Sequence, residues 1–533
     1  MSAQAVRTGP APAGAGLRPS TRPGRSPVRR LRTAAVVGLM TGAILLAWAC
    51  CGRDETALVR PELPALAPVA AADRIMIVAP HEDDEALMAG GLIQQAVAAG
   101  AAVRVVYLTY GDHSEFQFMV YRRRPWVSPT INRNMGEVRR REAVAGTGRL
   151  GLAPESLVFL GYPDGGMLRI WKEHWGESPA LHSILTNASA VPYRDAASFG
   201  RAHKGENVVA DLAAELLAFR PTRIVVGHPA DDHPDHRASW LFLQAALLET
   251  AGRIPHPEVL ACPVHAGRWP RPRAERRDGW LGTPHKLAGA PGSWAVLELS
   301  DEEVHAKAEA IGLYESQTTI GEDYLLSFAR RNELFARIPA VRLVPAEVPE
   351  PAGRSSPPAP PDDDRQPKRD DPAWTFGGEP GGGHGGGSDG GRGDEESDEL
   401  EEELAEEEPA GGPAWRDSGA ALVVEVPLPR GASAGGVFVQ AFGFRSDRPF
   451  AASPRLAVSW APGWLKVCDQ GTRLPRTGVR AFEGLGSVTL VIPWAELGDP
   501  ERVFVQVGGS SGEVSAAQSG WRLLERVRDR EKP

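Results

Sequence analysis

Apolar runs alternate with amphipathic stretches between residues 73 and 264. Short, almost wholly apolar runs predict strands at 74–79, 103–109, 156–160, 223–226 and 258–264. Helical spacing of apolar residues fills the intervals, over 85–99, 137–150, 208–219 and 235–250. Strands that are apolar on both faces and separated by helices indicate a parallel sheet with a helical layer on each side. We therefore expect a doubly wound α/β domain in this part of the chain.

A second strand-rich region follows a change in composition. Residues 346–414 are rich in Pro, Gly and acidic residues, which bury too little apolar surface to offset the entropy of ordering. They predict a disordered linker. Beyond it, short alternating runs predict strands at 421–426, 436–441, 455–460, 487–493 and 502–507. Turn residues separate these runs, so we expect a small all-β, sandwich-like domain.

The N-terminal segment has the charge pattern of an export signal or membrane anchor. The first 32 residues contain seven arginines and no acidic residue, and nineteen uncharged residues follow at 33–51. This order leaves the basic end in the cytoplasm and translocates the rest of the chain. Residues 47–50 also resemble a lipoprotein cleavage site, so a retained helix and a lipid at Cys50 are both open. We expect an extracytoplasmic protein of the bacterial cell envelope, tethered to the membrane.

Charge and cysteine content exclude several classes of protein. The net charge of −9 becomes +2 when the eleven acidic residues of 394–408 are set aside, so the remainder is nearly neutral. This balance gives no support to a nucleic-acid partner. Four cysteines, two of them adjacent at Cys50 and Cys51, rule out a disulfide-built scaffold and a cysteine-rich zinc module.

Polar residues follow four of the predicted strands, at 80–85, 110–113, 161–165 and 227–236. Ligands of an open parallel sheet bind beyond the carboxyl ends of its strands, which makes these segments candidates for chemistry. Any single Asp among them would also serve as a helix N-cap. The recurrence of Asp and His across the four segments favours one shared site.

Three of these residues suit a catalytic metal. A catalytic zinc ion takes three protein ligands of nitrogen or oxygen and leaves one position open. His81 and Asp84 lie three residues apart where a strand turns into a helix, and His236 on the other turn completes the set. We therefore predict one divalent metal ion, Zn²⁺, bound by these side chains.

Three neighbouring residues suit the proton transfers of a hydrolase. Asp83 is left without a metal bond and is placed as the general base that activates water. His233, one turn before His236, is placed to donate a proton or to stabilise a developing oxyanion. Asp235 is a candidate to fix the tautomer of His233.

The order of motifs along the chain points to a known family. HEDDE at 81–85 is followed about 150 residues later by HPDH at 233–236, with RRREA, LGL and LGYPDGG between them. Together these segments resemble the LmbE-like, or PIG-L, family of metal-dependent N-acetylglucosamine deacetylases, over roughly residues 73–335. The family's second motif position is usually Pro, whereas this chain has Glu82.

The resemblance implies the same zinc ligands, base and histidine as the spacing does. It adds two residues that contact sugar hydroxyls, Arg139 and Asp164. We therefore expect a zinc-dependent N-deacetylase that removes the acetyl group from an N-acetylglucosamine-type sugar or glycoconjugate. Two alternatives stay open, an inactive envelope protein that binds glycan and an amidase acting on a thiol-sugar conjugate.

These predictions divide the chain into five parts. They are a basic segment with signal or anchor at 1–52, a linker at 53–72, a Rossmann-like α/β deacetylase domain at 73–345, a disordered linker at 346–414 and a β-sandwich-like domain at 415–528.

Overall fold

The structure is a computed structural model that describes residues 59–123, 126, 128–287, 292–345, 354–355, 413–428, 436–484, 486–509 and 520–527. The N-terminal anchor segment with Cys50 lies outside these residues, as does nearly all of the linker at 346–414. Both therefore stay predictions. Within the described ranges, every helix is too short or too polar to cross a lipid bilayer.

Strands and helices alternate through the first part of the chain. In order they are β1 (Arg74–Ala79), α1 (Asp84–Ala99), β2 (Ala102–Thr109), α2 (Glu115–Arg122), α3 (Pro129–Arg149), β3 (Leu157–Tyr162), α4 (Met167–Glu173), α5 (Gly205–Phe219), β4 (Arg223–Gly227), α6 (Pro234–Glu249), β5 (Glu258–Cys262), β6 (Ser293–Glu298), α7 (Asp301–Gly312), α8 (Glu315–Leu326) and β7 (Asn332–Arg337).

These strands form one seven-stranded sheet in the order β3-β2-β1-β4-β5-β7-β6. The first five are parallel, as expected of a Rossmann-like sheet, but β7 pairs antiparallel with both β5 and β6. The prediction of a wholly parallel sheet is therefore wrong at this edge. The reason is that β7 enters between β5 and β6 from the opposite end after α8. Neither β6 nor β7 has the long apolar run that identified the other strands.

The linker predicted at 53–72 is partly built into this sheet. Leu66 donates its backbone N–H to Val296 on β6, and Val296 donates to Pro64 in return. Leu66 is also buried in the main apolar core. This short pairing covers part of the β6 edge, which would otherwise present unpaired backbone groups.

The second strand-rich region forms two further sheets. Its strands are β8 (Val341–Leu343), β9 (Arg354–Ser355), β10 (Ala414–Asp417), β11 (Ala421–Pro427), β12 (Val437–Phe444), β13 (Arg455–Ala461), β14 (Trp464–Asp469), β15 (Thr472–Arg473), β16 (Arg480–Glu483), β17 (Ser487–Pro493), β18 (Arg502–Gly509) and β19 (Arg522–Arg526). One sheet has the order β10-β11-β17-β16-β9 and the other β15-β14-β13-β12-β18-β19-β8.

The boundary predicted at residue 345 does not separate the two sheet systems. β8 precedes that residue, yet it pairs in parallel with β19 near the end of the chain. Val527 donates a further backbone hydrogen bond to Leu343, which is buried in the core of the sandwich. The β-sandwich therefore includes a strand from the segment assigned to the α/β domain, because backbone pairing and burial favour that position.

Candidate active site

The first turn of the site comprises residues 80–85, between β1 and α1. The carboxylate of Asp84 accepts a hydrogen bond from the His81 backbone N–H at 2.9 Å, and the same oxygen lies 3.1 Å from His81 Nδ1. Asp83 stands at the N-cap of α1 with φ 138° and ψ −30°, a conformation that side-chain-bearing residues rarely adopt. The first turn is thus tightly constrained at the residue expected to act as base.

The second turn comprises residues 227–236, between β4 and α6. His233 is the N-cap of α6, and its Nδ1 accepts the backbone N–H of Asp235 at 3.3 Å. His236 follows within the first turn of the helix and is fully buried. The helix start therefore aims both imidazoles toward the carboxyl end of the sheet.

The two turns meet at one carboxylate oxygen. Asp84 Oδ2 lies 3.3 Å from His236 Nε2 as well as 3.1 Å from His81 Nδ1. The three residues predicted as metal ligands are therefore brought together. His81 also belongs to two overlapping groups whose donor atoms lie within 4.8 Å of one another, namely His81, His233 and His236, and His81, Asp164 and Asp235.

Arg139 reaches the first turn from α3. Its Nη2 donates to the Glu82 carbonyl oxygen at 2.8 Å and lies 3.3 Å from Asp83 Oδ2. Arg139 was expected to contact substrate hydroxyls, and it does line the pocket. Its Nη1 also donates to the Gly111 carbonyl oxygen at 3.3 Å and to the Ser114 hydroxyl at 3.2 Å. Glu82, where the family usually has Pro, is wholly buried, and its carboxylate oxygens make no hydrogen bond within the described residues.

Asp164 and Asp235 both approach the far nitrogen of His81. His81 Nε2 lies 3.1 Å from Asp164 Oδ1 and 3.5 Å from Asp235 Oδ2. Asp164 lines the pocket, and its other oxygen accepts the backbone N–H of His113 at 3.0 Å. Asp164 is therefore placed beside both the predicted metal ligand and the pocket.

Asp235 contacts His233 through its backbone and other groups through its carboxylate. We expected it to fix the tautomer of His233, and the contact to His233 Nδ1 is made by the Asp235 backbone N–H at 3.3 Å. The carboxylate oxygens instead accept the backbone N–H groups of Gly165 at 2.7 Å and Met167 at 3.0 Å. Asp235 thus ties the second turn to the segment that carries Asp164.

Asp231 is a functional candidate that sequence reasoning missed. Its Oδ1 accepts the backbone N–H of His233 at 2.9 Å, and its Oδ2 accepts those of Val264 and His265 at 2.8 and 3.0 Å. The same Oδ2 lies 3.5 Å from His236 Nδ1. A carboxylate behind a ligating histidine fixes the orientation of the ring. The signal available in the sequence was its place within the second turn, among several other acidic residues.

The surroundings shift the pKa values of neighbouring groups in the two turns in different directions. Burial raises the pKa of Asp83 to about 7. Burial opposes ionisation of Asp84 too, but the charges of His236 and His81 hold its pKa well below the usual range. Desolvation and the adjacent imidazoles lower the pKa of His233 well below its usual 6.5. At neutral pH the turns therefore hold one firmly ionised carboxylate beside a neutral histidine.

A cavity of about 680 Å³ opens over these groups. Its inner end is lined by His81, Asp83, Asp84, Arg139, Asp164 and His233. Its outer walls come from the short helix α2 and from α8, which add apolar side chains including Phe116 and Ile320. Neither helix was predicted. The pocket has the size of a small-molecule site and combines a polar end with apolar walls.

Comparisons with known proteins agree with this arrangement. A family model described as PIG-L, GlcNAc-PI de-N-acetylase, matches residues 76–247. A 1D-myo-inositol 2-acetamido-2-deoxy-alpha-D-glucopyranoside deacetylase 1 of Saccharopolyspora erythraea is 30% identical over 224 residues, which cover 41% of this chain and 68% of that protein. A deacetylase with the same substrate name from Mycobacterium sp. (strain KMS) is 31% identical over 185 residues, 34% of this chain and 52% of that protein.

Among solved structures, the N,N'-diacetylchitobiose deacetylase of Pyrococcus horikoshii aligns with 48% of this chain and 76% of its own, at 16% identity and a TM-score of 0.30. The family assignment rests on the family model and on the relative that is 30% identical. This chain belongs to the PIG-L, or LmbE-like, family, with its family domain at residues 76–247.

Proposed function

We propose that this protein is a zinc-dependent N-deacetylase that removes the acetyl group from an N-acetylglucosamine-type sugar or glycoconjugate. The observation that carries the proposal is the meeting of His81, Asp84 and His236 around one carboxylate oxygen, at the floor of a pocket that also exposes Asp83. The curated relatives are named as deacetylases, which supports hydrolysis of an N-acetyl amide bond.

The chemistry of the donor set fits a zinc ion. Both ring nitrogens of His236 and Nε2 of His81 are buried and form no hydrogen bond of good geometry within the described residues, although carboxylate oxygens lie 3.1–3.5 Å from them. A buried ring nitrogen that lacks a well-formed hydrogen bond is costly unless another group satisfies it. Nitrogen ligands together with the Asp84 carboxylate match the ligand preference of zinc. When bound, the ion would polarise a carbonyl group and lower the pKa of water.

Asp83 is the residue that we assign as general base. It lies next to Asp84 in the chain, faces the pocket and is held by Arg139 Nη2 at 3.3 Å. In the proposed reaction its carboxylate accepts a proton from the water that attacks the amide carbon. The carbon–nitrogen bond then breaks, and the departing nitrogen takes up a proton to leave as the free amine of the sugar.

His233 is assigned as the group that stabilises the oxyanion. Its Nδ1 accepts the Asp235 backbone N–H, so in the neutral ring the proton lies on Nε2. That N–H is then available to the substrate carbonyl oxygen as negative charge develops there. Of the two roles left open by the sequence, this hydrogen bond favours oxyanion stabilisation over donation of a proton.

The test uses the full chain with Asp83→Asn, which keeps the size of the side chain but replaces one acceptor oxygen with an amide NH2 that cannot accept a proton at neutral pH. We expect normal zinc content by elemental analysis and a fall in turnover of about 10²- to 10⁴-fold, the usual contribution of a general base. Release of free amine from N,N'-diacetylchitobiose and from N-acetylglucosaminyl-inositol is the assay.

The matched control is Asp278→Asn, an exposed residue on a loop outside the pocket. It should leave both zinc content and turnover unchanged. Near-normal turnover of the Asp83→Asn chain would show that the base is assigned wrongly. A wild-type chain with neither zinc nor amine release would instead favour a binding role.

We also infer that the protein acts outside the cytoplasm, tethered by its N-terminal segment. The support is the arginine-rich start followed by nineteen uncharged residues. Membrane fractionation tests this inference, with Cys50→Ala to separate a lipid anchor from a retained helix. Release of the Cys50→Ala chain into the soluble fraction indicates the lipid, whereas a wild-type chain found wholly in the cytoplasm contradicts the inference.

A further inference from the structure

We propose that the C-terminal β-sandwich is a positioning element of the active site, in which Gly520 and Trp521 hold the second turn in place. The inference rests on the proposed function and extends it to a part of the chain outside the family domain, which ends at residue 247. From sequence alone this domain suggested a separate module behind a linker. The contacts of the residues that lead into its last strand indicate a role in the active site.

The contact to the second turn is made by backbone atoms. Trp521 donates its backbone N–H to the Pro229 carbonyl oxygen at 3.1 Å. Gly520 lies so close to the turn that a Cβ at this position would stand 2.5 Å from the Cβ of Ala230. Both residues are buried. The two residues that precede β19 are therefore packed directly against residues 229 and 230.

The next residue in the turn is Asp231, which connects this contact to the site. Its backbone N–H bonds to the His228 carbonyl oxygen at 3.0 Å. Its carboxylate holds the His233 backbone N–H at 2.9 Å and lies 3.5 Å from His236 Nδ1. A displacement of residues 229 and 230 would thus move the carboxylate that orients the proposed metal ligand.

Aromatic packing supports the same part of the site from a second direction. Trp171 on α4 is fully buried, with ring centroids 5.0 Å from Phe504, 5.5 Å from Phe450 and 6.4 Å from Trp521. Pairs at these separations add to the stabilisation that burial itself supplies. α4 begins at Met167, three residues after Asp164. The sandwich therefore also packs against the helix that follows the pocket segment.

A buried cation strengthens this interface. The guanidinium of Arg455 lies 4.0 Å from the ring centroid of Trp175, just beyond α4, and 4.7 Å from that of Phe450. It donates to the carbonyl oxygens of Ser453 and Phe450 at 2.9 and 3.0 Å. A desolvated cation over aromatic rings is a strong contact. Phe450 and Trp521 belong to the same buried apolar cluster as the core of the α/β sheet, so this face of the sandwich packs into that core.

The experiment introduces the missing Cβ with Gly520→Ala in the full chain. We expect zinc affinity, measured by competition with a chromophoric chelator, to fall about 10- to 100-fold, the range seen when an outer-sphere residue is disturbed. Turnover of N,N'-diacetylchitobiose should fall mainly in kcat, with KM less affected, because the pocket walls from α2 and α8 are not contacted by residue 520.

The matched control is Gly471→Ala, in the turn between β14 and β15 of the same domain. Gly471 has φ 80° and no neighbour within 4 Å of an added Cβ, so alanine strains the sandwich without touching the second turn. It should lower the melting temperature and leave zinc affinity and kcat unchanged. The double variant Gly520→Ala with Ala230→Gly removes the nearest clashing atom and should recover zinc affinity.

Three results decide the proposal. Recovery in the double variant, with no effect of the control, supports it. Equal zinc affinity in Gly520→Ala and Gly471→Ala chains overturns it, and so does a double variant that stays as weak as Gly520→Ala. Zinc affinity is measured without turnover, so a wild-type chain that binds zinc but releases no amine counts against the proposed function and leaves this test valid.

Discussion

The two turns that meet in the site hold their side chains by different means. In the first turn, Asp84 contacts His81 directly, the backbone carries its own constraint at Asp83 with φ 138°, and Arg139 adds one contact from α3. In the second turn, the constraint comes from outside. Asp231 accepts hydrogen bonds from the backbone N–H groups of His233 and of the segment after β5. The β-sandwich contacts the same loop through Trp521, which donates to the Pro229 carbonyl oxygen.

The difference predicts which substitutions should disturb each turn. A turn that is constrained by its own backbone and side chains is disturbed mainly by substitutions within it. A turn that is held by neighbouring segments is also disturbed by substitutions far away in sequence, because their packing sets its position. The first turn should therefore respond most to substitutions of its own residues and of Arg139, whereas the second should also respond to substitutions in the β-sandwich.

The largest effect should come from the residue where the turns meet. Asp84→Ala removes the carboxylate that lies beside both His81 and His236. We expect loss of bound zinc and a fall of activity to background, because two nitrogen ligands are left without the anionic one. Elemental analysis and the amine assay measure both. Asp301→Ala, exposed at the start of α7, is the control, and stoichiometric zinc in the Asp84→Ala chain would contradict the ligand assignment.

A smaller effect should follow from loosening the second turn. Asp231→Asn retains the shape of the side chain but removes the negative charge behind His236. We expect zinc affinity to weaken by about 10- to 100-fold, as is usual when the partner of a ligating histidine is changed. Chelator competition measures it. An affinity that stays at the wild-type value would show that Asp231 does not hold the second turn.

The strain in the first turn predicts a change of stability at Asp83. Glycine tolerates φ 138° better than a residue with a Cβ, so Asp83→Gly should be more stable than Asp83→Ala by about 1 kcal/mol. Both variants lack the carboxylate beside Arg139, which makes alanine the matched reference. Urea denaturation measures the difference. Equal stability of the two variants would mean that the turn carries no such strain.

The smallest effect concerns Asp112, which accepts hydrogen bonds from Tyr193 and from the Asp164 backbone N–H. Burial, with the nearby charge of Asp164, raises the pKa of Asp112 from 3.8 to about 7. Between these values the folded chain binds more protons than the unfolded chain, so this contribution to stability declines as pH rises. Asp112→Asn should flatten that decline in denaturation experiments across the interval, and an unchanged slope would contradict it.

Much of the central sheet was predictable from local pattern. The predicted bounds of β1 are those of the structure, and α1 and β4 differ by one residue, because long apolar runs between helices can be satisfied in few ways. β6 and α8 were missed. Both ends of β6 are exposed to solvent, and α8 is largely polar with non-helical backbone at Gly321. Elements of this kind are stabilised by packing partners that lie far away in the sequence, so a local pattern does not reveal them.

The candidate site divides in the same way. Types and spacing of residues indicated His81, Asp84 and His236, because a motif at a strand end leaves few positions for a ligand. Asp231 escaped notice because its role depends on amides of a segment more than thirty residues away. The same holds for the orientation of the Asp235 carboxylate, which is decided by the loop before α4.

By itself the sequence determined the alternation of strands and helices, the chemical types at the strand ends and the membership of the family. These features depend on short-range patterns of polarity and on a few side chains. The tertiary structure decided the reversed strand β7, the pairing of β8 with β19 and the contact of Gly520 with the second turn. Such features arise from packing between segments that lie about 40 to 290 residues apart in the sequence, where close contact and backbone pairing, rather than local propensity, set the free energy.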